Sequence, residues 1–179
     1  STLYSKTMEY PHNRLFLFDK LQLDKFGYRN PGNCFHTLLA CDIEHFDNVT
    51  VSSTDMKKYG TDVSFVGSLY SEKNSYDDIA DKLPAYMRGY VEGLCSAQKN
   101  VYGYNFIEDA LTDEWVSDFV STVGFDPLPA DYETDLKGII ADTYLNCRCT
   151  ELERKHTLDA ISRHFHVDLY TQSDSSMLP

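Results

Sequence analysis

The segment Thr61–Lys73 reads "TDVSFVGSLYSEK" and joins an apolar run to a glycine and a polar tail. Its residues from Val63 to Val66 lead directly into Gly67-Ser68. This pattern is typical of a short β-strand that ends in a turn. The glycine has two interpretations. It can bring the backbone close to a ligand, because no Cβ stands in the way, or it can only give the turn its freedom.

The composition indicates a folded chain with one domain of ordinary size or pieces of two. Hydrophobic residues make up 42% of the 179 residues and aromatic residues 13%, which is enough for a core. Sixteen basic and 28 acidic residues give a net charge of −12. Such a charge repels nucleic-acid backbones, so we expect no nucleic acid as partner, although a small nucleotide site stays compatible with it.

The sequence has no apolar run near the roughly 18–20 residues that span a bilayer, and no signal-peptide pattern at its start. An odd number of cysteines at low density argues against a disulfide scaffold and favours reduced thiols. We therefore expect a soluble, cytoplasmic protein without a membrane span. The five cysteines are Cys34, Cys41, Cys95, Cys147 and Cys149.

The segments on either side predict an α/β protein. Leu15–Phe18 is a continuous apolar run that suits a strand buried on both faces of a parallel sheet. A short helix closed by Gly27 and a second strand, Cys34–Leu39, are predicted to follow. The polar segment 40–60 is predicted to be loop or hinge. Val167–Thr171 is predicted to form the last strand.

A helical block is predicted between the later strands, at about residues 75–165. From Tyr76 onward the apolar residues recur at spacings of three and four, which is a helical stripe. Pro84 suits only a first helical turn, so a short helix should precede it and a longer one should begin there.

Two further helices are predicted in this block. Thr112 should cap a helix that Gly124 and the prolines after it end. A long helix should run from about Tyr132 to Phe165, with a break near Asn146.

The segments "LLACDIEHFDN" and "VSFVGSL" resemble motifs of retaining glycosyltransferases of the GT-B architecture. "LLACDIEHFDN" resembles N-G-V-D-x-x-x-F, with Asp42 and Phe46 in the Asp and Phe places. "VSFVGSL" resembles the (L/F)-x-(F/Y)-V-G-R-L strand that opens the second domain; Gly67 matches, and Ser68 stands where Arg is frequent.

A closer resemblance covers nearly the whole chain. "LYSKTMEYPHNRLFLFDK", "DVSFVGSLYSEK", "MRGYVEGLCSAQKNVYGYNFIEDAL" and "VDLYTQSDSS" are similar to the uncharacterised N-terminal region of spore-maturation-type glycosyltransferase-like proteins, which are common in gut Firmicutes. These are longer proteins, with a Rossmann-like half before this region and a transferase half after it. The resemblance therefore implies a truncated middle piece of a GT-B enzyme.

The resemblance implies Rossmann-like parallel-strand pieces of a GT-B architecture with a large helical block. Residues 1–47 would end the N-terminal domain, 48–61 would form the hinge, and 62–179 would begin the C-terminal domain. Within the last part, the helical insertion would take up about residues 75–165.

The same resemblance assigns the site residues. Gly67 and Ser68 would line the donor side of the cleft, whereas Asp42 and Phe46 would order the hinge. It identifies no catalytic residue. A nucleotide-sugar donor is expected, and no metal.

We therefore expect a fragment of a GT-B glycosyltransferase whose acceptor is unknown and which is itself inactive. The alternative is a helical module for protein interaction or oligomerisation, with the block at 75–165 as its working part. That alternative predicts a homo-oligomer.

A zinc site is the main competing chemistry. Cys147, Cys149, His156, His164 and His166 supply ligand types that zinc prefers. However, residues two apart on a helix diverge by about 200°, and no zinc-finger spacing is present. We therefore expect no metal, with Cys147 in the core and His164 and His166 at the surface.

Other segments have two interpretations each. Tyr86, Tyr90, Tyr102 and Tyr104 could stack on sugars or could pack half-buried. "YTQSDSS", residues 170–176, could form a site at a strand's carboxyl end or a frayed tail, and the tail is favoured. The sequence contains neither a G-x-S-x-G motif nor a cysteine-protease signature, so it does not indicate a hydrolase.

Overall fold

The structure is a computed structural model that describes residues 2–124 and 135–173. It has a mixed α/β fold with two small parallel sheets, as the sequence predicts at this coarse level. The described residues form two compact units. The first runs to Tyr59 and includes Asp135, and the second comprises the rest from Gly60 onward. This boundary falls inside the segment 48–61. Whether the units correspond to the two domains of a GT-B enzyme stays a prediction.

The first unit contains a strand–helix–strand motif. Strand β1 (Leu15–Leu17) is followed by helix α1 (Lys20–Phe26) and strand β2 (Cys34–His36). The strands pair in parallel, with Leu15 opposite Cys34. The predicted strand, short helix and second strand are thus confirmed, although both strands are shorter than predicted.

The expectation that β1 is buried on both faces is wrong for the described residues. Leu17 is buried, whereas Phe16 is 66% exposed and Phe18, just after the strand, 56% exposed. Successive side chains of a strand point to opposite faces, and only one face of β1 is packed within this unit. The packed core contains Tyr4 and Phe26, whose rings meet edge to face at 5.2 Å.

The prediction of loop over 40–60 is also wrong, because two short helices lie there. Helix α2 spans Ile43–Asp47 and helix α3 spans Ser53–Tyr59, and neither contains a buried residue. Asp42 caps α2 by accepting from the His45 amide at 3.0 Å. These helices have polar capping residues but bury no apolar stripe. The spacing of apolar residues therefore did not predict them.

In the second unit, strand β3 (Val63–Val66) pairs in parallel with strand β4 (Val167–Tyr170). Val63 lies opposite Val167 and Val66 opposite Tyr170. Both predicted strands are confirmed, and they are neighbours although the helical block separates them in sequence.

The helical block is confirmed, and Pro84 marks the division within it. A 3-10 turn (Ala80–Lys82) precedes Pro84, which is the N-cap residue of the next helix. The helices of the block are α4 (Ala85–Gln98), α5 (Ile107–Ala110), α6 (Asp113–Val123), α7 (Leu136–Ile140) and α8 (Asn146–Ser162). They bury an apolar core that includes Ile79, Leu83, Met87, Val91, Cys95, Ile107, Trp115, Phe119, Ile140 and Leu145.

The ends of α6 follow the sequence prediction. The Thr112 hydroxyl accepts from the Trp115 amide at 3.1 Å, and Gly124 ends the helix in the left-handed conformation with φ +69°. The two prolines predicted to follow it lie outside the described residues.

The long last helix differs from its prediction in one respect. A π-helical turn, Ala141–Leu145, joins α7 to α8 directly. The interruption therefore lies just before Asn146, and it widens the helix instead of breaking it. The predicted start near Tyr132 lies outside the described residues, and α8 ends at Ser162.

No helix among the described residues has the length and apolar content that crossing a membrane requires.

Candidate functional site

A cleft of about 610 Å³ lies at the carboxyl ends of β3 and β4, within the second unit. Because the two strands are parallel, their carboxyl ends meet at one edge of the sheet, which is where α/β proteins commonly bind ligands. The residues that line the cleft are Val66, Gly67, Ser68, Glu72, Lys73, Tyr170, Thr171 and Gln172.

Gly67 has a backbone conformation that favours glycine. Its φ is +156°, and its amide donates to the Tyr170 carbonyl at 3.0 Å. A Cβ built at Gly67 would lie 3.5 Å from the Phe65 ring, which is an ordinary contact. The backbone conformation, rather than lack of space, therefore accounts for glycine here.

Ser68 organises the turn after β3. Its hydroxyl accepts from the Tyr70 amide at 2.9 Å and donates to Glu72 Oε1 at 2.5 Å. The buried Ser173 hydroxyl accepts from the Leu69 amide at 2.7 Å and lies 3.5 Å from the Ser68 hydroxyl. Side chains from the ends of both strands thus form one hydrogen-bonded network.

The segment after β4 lines the cleft up to Gln172, and Ser173 follows it as a buried residue. Thr171 and Gln172 line the cleft, and Ser173 is 8% exposed. The interpretation of this segment as a frayed tail is therefore wrong for residues 171–173. Residues 174–176 lie outside the described part of the chain.

Glu72 is an ionised carboxylate at the cleft. Hydrogen bonds from the Ser68 and Ser173 hydroxyls, with a smaller effect of the neighbouring Lys73, lower the pKa of Glu72 to about 2. The cleft thus holds a strong hydrogen-bond acceptor at neutral pH.

Arg154 of α8 adds a cation beside the turn. Its Nη1 donates to the Ser68 carbonyl, and its guanidinium carbon lies 4.6 Å from the Tyr70 ring centroid and 5.8 Å from that of Phe65. Lys73 Nζ lies 4.7 Å from the same Tyr70 centroid. Tyr70 has φ +71°, the one positive φ of a non-glycine residue in the described part of the chain. Strained backbone of this kind is frequent at functional sites.

The structure separates the predicted site residues into two groups. Gly67 and Ser68 both line the cleft, whereas Asp42 and Phe46 belong to the first unit. Asp42 caps α2 and Phe46, within α2, is 62% exposed. A role of these two residues in ordering a hinge stays a prediction.

Sequence reasoning missed Glu72, Lys73 and Arg154. Glu72 and Lys73 were within the quoted segment, but nothing in the pattern shows that the chain turns back to the strand end. Arg154 lies 86 residues from Ser68, and its helical position gives no sign of this contact.

The cysteines and histidines do not form a metal site in the described residues, where no group of three His, Cys, Asp or Glu side chains is placed to hold a metal. Cys147 is half-buried whereas Cys149 is in the core, so the prediction of a core Cys147 is wrong. The two residues are two apart on α8 and point in different directions.

Three of the four tyrosines considered for sugar stacking are exposed. Tyr86 is 61% exposed, Tyr102 80% and Tyr104 59%, so half-buried packing is wrong for these three. Tyr90 is half-buried and its hydroxyl donates to the Ala110 carbonyl at 2.7 Å.

Comparisons with protein-family models, curated proteins and solved structures found no match. The geometry of the cleft and the motif resemblance of the sequence are therefore the grounds for a functional proposal.

Proposed function

We propose that this chain is part of a GT-B-type glycosyltransferase and that the cleft binds its nucleotide-sugar donor. The observation that carries the proposal is the position of Gly67 and Ser68 at the carboxyl end of β3, beside the parallel strand β4, in a cleft of about 610 Å³. Ligands of α/β proteins bind at such strand ends.

The side chains of the cleft suit a polyhydroxylated ligand. The hydroxyls of Ser68 and Thr171 and the amide of Gln172 can each donate and accept hydrogen bonds. Ionised Glu72 can accept from sugar hydroxyls, as it accepts from the Ser68 hydroxyl. Tyr170, which is 40% exposed, also lines the cleft.

A charged donor also needs a cation. Lys73 lines the cleft and forms no ion pair with a carboxylate of the described residues. Basic side chains can stabilise a departing diphosphate, so the proposal includes no metal.

We expect no transferase activity from this chain alone. Transfer requires that donor and acceptor are held together in reactive geometry, and the proposal makes this chain only one part of the enzyme. Incubation with common nucleotide sugars should therefore give no turnover above background hydrolysis, and transfer by the isolated chain would contradict this expectation.

Calorimetric titration of the 179-residue chain with uridine and guanosine diphosphate sugars tests donor binding. We expect saturable binding of at least one donor, and a Kd raised about tenfold or more by Ser68→Ala, since the substitution disturbs the network of the cleft. Ser121→Ala is the matched control, because Ser121 is an exposed serine of α6. Absence of binding at millimolar concentrations of all donors would overturn the proposal.

The second candidate is a helical interaction module. The exposure of Tyr86, Tyr102 and Tyr104 favours it, because tyrosines are frequent in protein interfaces. It predicts an oligomer in light scattering that Tyr102→Ser weakens, together with no donor binding.

A further inference from the structure

We propose that Arg154, contributed by the helical block, binds a diphosphate group at the carboxyl end of β3. The inference rests on the proposed function only for the source of the diphosphate, which would be the donor. It gives α8 a part in ligand binding, beyond its packing role.

Arg154 has no carboxylate partner among residues 2–124 and 135–173. It is half-buried, its Nη1 donates to the Ser68 carbonyl, and it forms no ion pair within the described residues. Arg148, earlier on the same helix, has three carboxylates within 3.6 Å, those of Asp77, Glu92 and Glu151. A partly desolvated guanidinium is normally paired. The contrast indicates that the partner of Arg154 is a ligand.

The guanidinium is also held in place before any ligand binds. It lies over the rings of Tyr70 and Phe65 and is hydrogen-bonded to the backbone of the turn. A Cβ built at Gly67 would lie 3.8 Å from Arg154 Nη1, so the guanidinium lies beside a residue that lines the cleft. An ordered fork of N–H donors can bind phosphate oxygens in pairs with little loss of conformational freedom.

The charges around the turn favour a group with more than one negative charge. Lys73 contacts the same Tyr70 ring and supplies a second cation. The nearby carboxylate, Glu72, is engaged by the hydroxyls of Ser68 and Ser173 and is paired with neither cation. Two cations that share the Tyr70 ring thus lie at a turn that carries one hydrogen-bonded carboxylate, which suits a diphosphate better than a neutral ligand.

The test is calorimetric titration of the full chain with inorganic pyrophosphate, uridine diphosphate and glucose. Arg154→Met keeps an unbranched side chain at this position and removes the charge. We expect the Kd of both diphosphates to rise at least tenfold, as expected for a lost charge-assisted hydrogen bond. Arg163→Met is the control, because Arg163 is 69% exposed and pairs with Asp159; its Kd values should match the wild type.

Two further measurements make the test decisive if Arg154→Met fails to fold. Arg154→Lys keeps the charge without the fork and should weaken diphosphate binding several-fold. In the wild type, pyrophosphate should shift the side-chain Nε–H resonance of Arg154. An unchanged Kd in a folded variant, an unshifted resonance, or no pyrophosphate binding at millimolar concentration would each overturn the inference.

The outcomes separate the two proposals. Pyrophosphate binding that depends on Arg154, without binding of any nucleotide sugar, supports the anion site and contradicts the donor assignment. Nucleotide-sugar binding that is insensitive to Arg154→Met supports the donor assignment and contradicts the anion site. Binding of uridine diphosphate but not pyrophosphate would show that the nucleoside is needed and that Arg154 does not bind a diphosphate by itself.

Discussion

At the scale of single residues, the turn after β3 depends on a glycine and two serines. Gly67 adopts the positive φ that the turn needs. The Ser68 hydroxyl accepts from the Tyr70 amide and donates to Glu72. The Ser173 hydroxyl accepts from the Leu69 amide. Only the glycine and the first serine could be predicted from the sequence, because they follow an apolar run directly. Ser173 could not, because its partner is 104 residues away.

Substitution of Gly67 tests the backbone argument. Gly67→Ala should lower the free energy of unfolding by about 1–3 kcal/mol, because alanine is strained at φ +156°. Gly89→Ala is the control: Gly89 lies within α4 with no atom within 4 Å of a built Cβ, and alanine should stabilise the helix by up to ~1 kcal/mol. Urea unfolding followed by the fluorescence of Trp115, the single tryptophan, reports on this unit. Equal effects of both substitutions would contradict the argument.

The carboxylate of Glu72 gives a prediction about pH. Its pKa in the folded chain is about 2, below the ordinary 4.5, so the ionised form stabilises the fold. That contribution is complete above about pH 4.5 and is lost as the pH falls toward 2. Ser68→Ala removes the largest cause and should raise the pKa of Glu72 toward its ordinary value. Carbon-13 NMR titration of the Glu72 carboxyl group measures its pKa in the wild type and in the variant. A wild-type pKa near 4.5 would contradict the prediction.

At the scale of elements, the helical block holds the loop that carries Glu72 and Lys73. Asn74, the next residue, is buried and donates to Glu151 Oε2 at 2.5 Å. Glu151 is 3% exposed, and its other oxygen accepts from Lys155 at 2.6 Å. A buried carboxylate on α8 therefore fixes one side of the cleft.

Removal of this carboxylate should be costly. Glu151→Ala leaves Lys155, Arg148 and Asn74 without their shared partner, and we expect a loss of about 3–5 kcal/mol in the free energy of unfolding. The control is Asp159→Ala on the same helix, which breaks a more exposed pair with Arg163 and should cost less than ~1 kcal/mol. Unfolding monitored by Trp115 fluorescence compares them. Similar losses for the two variants would contradict the expectation that removal of a buried carboxylate costs more than removal of an exposed one.

The elements differ in how far the sequence predicts them, for a physical reason. Ile79, Leu83, Met87 and Val91 recur with helical spacing and are all buried, because that stripe faces the core. Helices α2 and α3 bury no residue, so their sequences contain no buried apolar stripe from which they could be predicted. The exposure of Phe16 could not be foreseen either, since an apolar run does not show which faces of a strand are covered.

At the scale of the whole chain, the fold class is established and the larger architecture is proposed. Two compact units each contain a two-stranded parallel sheet, and a GT-B assignment rests on motif resemblance together with the cleft. The cleft itself combines residues from 66–73 with residues 170–172, and Arg154 lies beside them. Sequence motifs indicate such a site only through Gly67 and Ser68, because the pairing of β3 with β4 brings the other residues to it.

The most direct test of the central claim is NMR mapping of where a nucleotide sugar binds. Amide resonances of the nitrogen-15-labelled chain would be followed during titration with the donor that binds best. We expect concentration-dependent shifts at Val66–Leu69 and at Tyr170–Ser173, the two strand ends that form the cleft. Shifts confined to the region of Tyr86, Tyr102 and Tyr104, or no shifts with any donor, would contradict the account.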